Sequence, residues 1–247
     1  MLLDSFVFTS AGGRGYNEDA ALAQESADGG LYLVADGLGG HAHSEQAAQA
    51  VIESLGKAEA PKGEEKLRGW LEAQIENANE KVLALQRETH LNMKSTLAAL
   101  LVRGREAIWA NVGDSRVYFL RGGEIAGVTQ DHSVAFKKYK AGEITRDQIG
   151  QDEDQSALLQ ALGNPERHIP SFYASPDALK DGDAFLLCSD GVWEYVRDGE
   201  ILVDLLKSET AREWAEHLLL RVIDRVQGEN DNLTLLTVIV REGEEDQ

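Results

Sequence analysis

The run Leu31-Tyr32-Leu33-Val34-Ala35-Asp36-Gly37-Leu38-Gly39-Gly40-His41 starts as an unbroken apolar segment and stops on an aspartate, with three glycines in the next four positions. Consecutive apolar residues of this kind read as a strand buried on both faces. Asp36 is then expected at the rim of that strand, in a fixed position. Gly37 lets the backbone come close to a ligand and can offer its carbonyl. The plainer reading is a strand ending in an ordinary Asp-Gly turn.

The motif has company. Ala184-Phe185-Leu186-Leu187-Cys188-Ser189-Asp190-Gly191 repeats the order of apolar strand, aspartate, glycine. Glu229-Asn230-Asp231-Asn232 stands directly before the apolar run Leu233–Val240. Asn111-Val112-Gly113-Asp114-Ser115-Arg116 puts an aspartate in a tight connection between two strands, and Arg14-Gly15-Tyr16-Asn17-Glu18-Asp19 offers an arginine with two adjacent acids. Acids pinned at the ends of ordered elements are poorly explained as solubility charge. If they converge, they repel one another strongly unless a cation joins them. Convergent oxygen ligands suit Mg²⁺ or Mn²⁺.

Outward from these motifs, the apolar periodicity predicts helices over Ser44–Leu55, Glu64–Glu88 and Thr210–Gln227. Strands are expected at Phe6–Ser10, Leu31–Ala35, Thr96–Val102, Ile108–Val112, Val117–Leu120, Ile125–Val128, Ala184–Cys188 and Leu233–Val240. Arg121-Gly122-Gly123 reads as a hairpin turn. Adjacent hairpins with long helices that do not alternate one-for-one with strands argue for an α+β fold. Two mostly antiparallel sheets flanked by helices fit the count. One domain is expected over residues 1–242, with a charged tail at 243–247.

Bulk properties narrow the function. The 247 residues are 43% hydrophobic, enough for a sizeable core. A formal net charge of −19 would repel nucleic acid and anionic lipid, so neither is expected as a partner. There is no apolar run of membrane-spanning length and no secretion-signal pattern. With a single cysteine, a cytoplasmic address is the simpler expectation.

The ordered set Arg14…Asn17-Glu18-Asp19, Asp36-Gly37…Gly39-Gly40-His41, Ser95-Thr96, Asn111 to Arg116, Asp131-His132-Ser133, Ala161-Leu162-Gly163, Ser189-Asp190-Gly191 and Asp231-Asn232-Leu233-Thr234 resembles the metal-dependent (type 2C, PPM) serine/threonine protein phosphatases, in their compact bacterial form. The resemblance covers nearly the whole chain. It implies an α-β-β-α sandwich with two Mn²⁺ or Mg²⁺ ions and a weaker third. It implies that Asp36 bridges two ions, that Asp190 and Asp231 complete one, and that the Gly37 carbonyl serves the other. Glu18 would act through bound waters, Arg14 would hold the substrate phosphate, and Asp114, with Asp190, would hold the third ion. The implied reaction is in-line attack on phosphoserine or phosphothreonine by a metal-bridging hydroxide. The implied substrates are phosphoproteins, targets of a bacterial-type Ser/Thr kinase, and a monomer is expected. The alternative is a regulatory module, non-catalytic or dedicated to one pathway, that keeps the fold.

Several residues admit two readings. Cys188 ends an apolar strand, and the position six residues on is Glu194, not the arginine of a cysteine phosphatase. It reads as a buried core residue. His41 is a candidate proton donor, in competition with a packing or capping role. Asp131-His132-Ser133 reads as a helix cap, with His132 free to approach the cleft. Ser95-Thr96 reads as architectural. Arg116 either orients Asp114 or lies on the surface. The segment 131–163 corresponds to the family's variable flap, with Leu159-Gln160 where relatives carry Thr-Arg. Within it, Phe136-Lys137-Lys138-Tyr139-Lys140 reads either as a guide for acidic substrate or as an ordinary amphipathic helix.

Overall fold

The structure is a computed structural model and describes residues 1–39, 43–59, 61 and 66–243. Among the described residues eleven strands run in the order β1 (Leu2–Ser10), β2 (Asp19–Ser26), β3 (Gly29–Leu38), β4 (Lys94–Ser95), β5 (Leu97–Arg103), β6 (Glu106–Val112), β7 (Arg116–Arg121), β8 (Glu124–Val128), β9 (Ser171–Ala174), β10 (Ala184–Cys188) and β11 (Leu233–Arg241). The helices are α1 (Ser44–Gly56), α2 (Leu67–Thr89), α3 (Val134–Ala141), α4 (Asp190–Trp193), α5 (Asp198–Leu206) and α6 (Ala211–Arg225), with a 3-10 helix at Arg146–Gln151.

The strands form two sheets, ordered β1-β11-β10-β7-β8 and β2-β3-β5-β6-β9, with β4 paired to β3. Every pairing is antiparallel. The two-residue period of a strand divides its side chains between two cores. In β3, Tyr32 and Val34 face the layer between the sheets, while Leu31, Leu33 and Ala35 pack with α1 and α2. In β10, Phe185 and Leu187 face inward, while Ala184, Leu186 and Cys188 meet α5 and α6. The inter-sheet core is aromatic, with Trp109 5.3 Å from Phe119 and Phe119 4.9 Å from Phe185. This is the expected α+β sandwich of two antiparallel sheets flanked by helices. Among the described residues no helix is long and apolar enough to cross a membrane.

The differences from the sequence reading have physical causes. β3 does not stop at Ala35. It continues through Asp36 to Leu38 because β4 pairs with Gly37 and Leu38. β2 carries no strand signal in the sequence because Asp19–Ser26 is rich in alanine and poor in β-branched residues. β9 is too short to show a period, and α5 is a further helix beyond those the periodicity predicts. The helix expected over Glu64–Glu88 runs from Leu67 to Thr89, while residues 64 and 65 lie outside the described residues. The Gly122-Gly123 turn is as read: both glycines have positive φ, as a tight two-residue hairpin requires.

In the flap, Ser133 is the cap of α3, accepting the Phe136 N–H at 3.2 Å. Lys138 is spent on Asp152 and Asp154 of the flap itself and Phe136 is buried, which favours the amphipathic-helix reading of that segment. The base of the flap is closed by α2. Asn79 Oδ1 accepts the Gly163 N–H at 2.9 Å, and Gln86 donates to the Gly163 carbonyl at 2.8 Å.

Candidate active site

The acids of the sequence motifs come from the same end of both sheets. Asp36 is held by its main chain. Its N–H donates to Thr96 Oγ1 at 3.0 Å, and its carbonyl accepts the Thr96 N–H at 2.9 Å. Thr96 in turn shares a 2.6 Å hydroxyl contact with Ser115, so the Ser95-Thr96 pair is architectural, as read. Gly37 cannot be replaced by a larger residue: a Cβ there would sit 2.4 Å from the Ser44 carbonyl and 2.8 Å from that of Glu18.

Around Asp36 stand four more carboxylates. Burial pushes its carboxyl well above the usual range, and the charges of Asp19, Asp190, Asp114 and Asp231 push it further. Asp36 keeps some solvent contact although its carboxyl is crowded by these groups. Asp19 is buried and raised to about 6, chiefly by burial, while hydrogen bonds from Thr234 and Ser189 partly offset the shift. Asp190 starts α4 and is raised to about 7 by burial and then by Asp231 and Asp19. Asp114 lies in the β6–β7 turn at 4% exposure, pushed well up by burial and then by Asp190 and Asp131. These shifts say one thing: the cluster carries more negative charge than its surroundings solvate.

Arg14 reaches the cluster from the loop after β1, its Nη2 3.0 Å from Asp231 Oδ2. Both side chains are about half exposed. Glu18 is placed by its main chain, its N–H donating to Asn232 Oδ1 at 2.7 Å and its carbonyl accepting the Gly37 N–H at 3.1 Å. Asn232 also donates to the carbonyls of Ala11 and Tyr16, both at 3.0 Å. That clamp joins the Arg14 loop to Asp231, a role the sequence reading did not give it. Its sequence signal was a second amide beside the acid, at the start of an apolar strand. His41 lies outside the described residues.

Two expectations change. Arg116 neither orients the Asp114 carboxylate by a salt bridge nor lies on the surface. It is buried on β7 and pairs with Asp131, because β7 runs inside its sheet, between β10 and β8. His132 turns inward, with Nε2 2.9 Å from the Ser171 hydroxyl. Glu194, noted above only as the residue standing where a cysteine phosphatase has an arginine, gains a place here. It is raised to about 8 by burial and then by Asp190 and Asp231.

The donor set suits a hard cation. Asp114 Oδ1 and Glu194 Oε1 are buried oxygens with no hydrogen-bond partner among the described residues, and both side chains feel the charge of Asp190. Oxygens left so are costly unless a donor or a positive ion meets them. As the side chains lie, no three acid, imidazole or thiol groups among the described residues form a chelating set. Arg14 occupies Asp231, and Asp190 Oδ1 accepts the N–H of Gly191 at 2.7 Å.

The sequence model of the family described as Protein phosphatase 2C matches residues 13–227. The chain belongs to the protein phosphatase 2C family. It is a protein phosphatase of that type. The serine/threonine phosphatase stp of Listeria welshimeri is 32% identical over 232 residues, 91% of this chain and 90% of that one. The crystal structure of the Mycobacterium tuberculosis serine/threonine phosphatase PstP/Ppp has a TM-score of 0.85 at 30% identity, covering 98% of this chain and 100% of that one. A structure of the PstP catalytic domain described as in complex with 2 manganese ions has a TM-score of 0.83 at 30% identity, covering 97% and 99%.

Proposed function

We propose that this phosphatase hydrolyses phosphoserine and phosphothreonine esters on proteins, at a centre that takes two Mn²⁺ or Mg²⁺ ions and a weaker third. The observation that carries this is the crowding of the buried Asp36 carboxyl, with Asp19 directly opposite it in the β2–β3 ladder and the charges of Asp190, Asp114 and Asp231 also acting on it. The manganese complex of PstP supports it. The substrates would be proteins phosphorylated by a bacterial-type Ser/Thr kinase, in keeping with the bacterial serine/threonine phosphatases it resembles.

Asp36 would be shared between two ions, Asp190 and Asp231 would complete one, and the Gly37 carbonyl with Glu18 would serve the other. Asp114 and Glu194, with their unpartnered oxygens, would join Asp190 at the weaker position. Cations held there would supply charge neutralisation of the phosphate and would make a water acidic enough to attack near neutral pH. The side chains do the rest. Arg14, half exposed at the mouth of the cluster, grips phosphate oxygens with its fork and holds the ester for in-line attack. To do so its guanidinium leaves Asp231, which is then free for a cation. The Asn232 clamp keeps the Arg14 loop and Glu18 in register with Asp231.

The test is hydrolysis of para-nitrophenyl phosphate and of a phosphothreonine peptide with Mn²⁺, with and without chelator, by wild type and Asp36→Asn. Activity is expected only with the cation. It should fall by about 10³-fold or more in Asp36→Asn, the scale of several kcal/mol that a catalytic ion supplies. Activity that survives chelation, or full activity in the variant, overturns the proposal.

A further inference from the structure

Arg116 has no part in the chemistry above, yet its guanidinium is buried and fully used. Nε and Nη2 hold the two oxygens of Asp131 at 2.8 and 2.7 Å, and Nη1 donates to the Tyr118 hydroxyl at 3.1 Å. Its flat face lies 3.6 Å from the centre of the Trp193 ring. Trp193 passes the contact on: its indole N–H donates to the Asp114 carbonyl at 3.0 Å.

Trp193 and Asp190 are the two ends of α4. One short helix therefore acts on Asp114 twice. The Asp190 carboxylate repels the Asp114 side chain, while the Trp193 indole holds its main chain in place. That hold depends on the ring staying where it is. Trp193 is buried in the core beneath α5 and α6 and borders a cavity of about 370 Å³, and on one face of its ring lies the Arg116 guanidinium. Asp131 also repels Asp114, and Arg116 neutralises it. His132, next to Asp131 at the start of the flap, donates its N–H to the Gly113 carbonyl at 2.9 Å. The flap and α4 thus grip the β6–β7 turn from two directions.

We propose that Arg116, through Trp193 and Asp131, is a positioning residue that holds Asp114 against Asp190 and so sets the affinity of the weaker cation position. This rests on the reading of the acid cluster as a metal centre. A buried oxygen kept close to like charge is a poor arrangement for the protein alone and a good one for a cation. A bidentate, stacked arginine is the side chain able to hold both a carboxylate and a ring plane.

The experiment is Mn²⁺ binding to the purified full chain, followed by titration calorimetry and by paramagnetic resonance of free Mn²⁺, with thermal melts in chelator. Trp193→Phe keeps the ring and removes only the N–H. The weakest class of Mn²⁺ should bind ~3- to 10-fold less tightly, the scale of one hydrogen bond, with the tighter ions unchanged. Arg116→Lys keeps the charge but loses fork and stack, and should weaken the same class at least as much. In an Asp114→Asn background, Trp193→Phe should change nothing further. A weak class with wild-type affinity in Trp193→Phe, whatever the melting temperature does, overturns the proposal, as does an equal loss in every class. Should Arg116→Lys fail to fold, Trp193→Phe decides alone. A wild type that binds no Mn²⁺ would instead bring down the reading of the centre itself.

Discussion

Asp19 and Asp36 are directly opposite one another in the β2–β3 ladder, two carboxyls on one face of one sheet. Like charges in opposite positions destabilise a sheet. The ladder can hold both only if a proton or a cation sits between them.

That sets a pH dependence. Asp19 is raised to about 6 and Asp190 to about 7. A carboxyl raised on folding keeps its proton where the unfolded chain has lost it. Its stabilising contribution is full below the ordinary range near 4 and falls as pH climbs through the folded values. In chelator, the melting temperature should drop by several degrees between pH 5 and pH 8. Mn²⁺ should restore it at pH 8, since ions and protons compete for the same oxygens. Glu200, lowered to about 2 by Arg225, acts in the opposite sense but only below about pH 4, outside this window. A chelated protein more stable at pH 8 than at pH 5 would contradict the clustered-acid account. Asp36→Asn should shrink both the pH effect and the Mn²⁺ response.

Gly191 follows Asp190, and a Cβ there would fall 2.0 Å from the Asn232 carbonyl. The neighbour is backbone, so it cannot swing aside. Gly191→Ala should cost about 2 kcal/mol or more, as overpacking does. It should also lower activity by displacing the clamp beside Asp231. Gly69, exposed in α2 with nothing within 4 Å of its Cβ position, is the control. Gly69→Ala should stabilise by about 0.5–1 kcal/mol. Urea unfolding of both variants measures this, and equal effects would refute the steric argument.

The positions of Asp36, Asp190, Asp114 and Asp231 were legible because each borders an apolar run beside glycine or asparagine, a local pattern that controls the backbone. What escaped was set by register between distant strands. Arg116 meets Asp131 only because β7 and β8 pair and the chain then turns back into the flap. Glu194 becomes part of the cluster only when α4 packs against β11. The alanines of β2 give no strand signal by themselves. They are acceptable there because β3 supplies the whole ladder from Asp36 back to Gly29.

Cys188 is fully buried, and burial pushes its thiol well up. A protonated thiol without solvent access is a poor nucleophile. An aromatic disulfide reagent should leave the native protein unlabelled and label one thiol per chain on denaturation. Cys188→Ala should keep its activity. Labelling of the native state with loss of activity would reopen a cysteine mechanism.

Arg14 and Asp231 should matter for activity and hardly at all for stability. Their pair is half exposed, and such pairs contribute little once solvent and salt screen them. Arg14→Ala should leave urea unfolding nearly unchanged yet reduce kcat/KM by about 10²-fold, the scale of losing a donor that meets transition-state charge. Arg14→Lys should recover only part of this, because a point charge lacks the fork. The pair also links the two ligands. A cation on Asp231 releases Arg14, and phosphate on Arg14 releases Asp231, so each should tighten the other by linkage. Inorganic phosphate should therefore raise the melting temperature more with Mn²⁺ present than in chelator. Arg14→Ala should abolish that phosphate effect while keeping the Mn²⁺ effect. Phosphate stabilisation that is the same with and without Mn²⁺ would show that the ion pair is not the link.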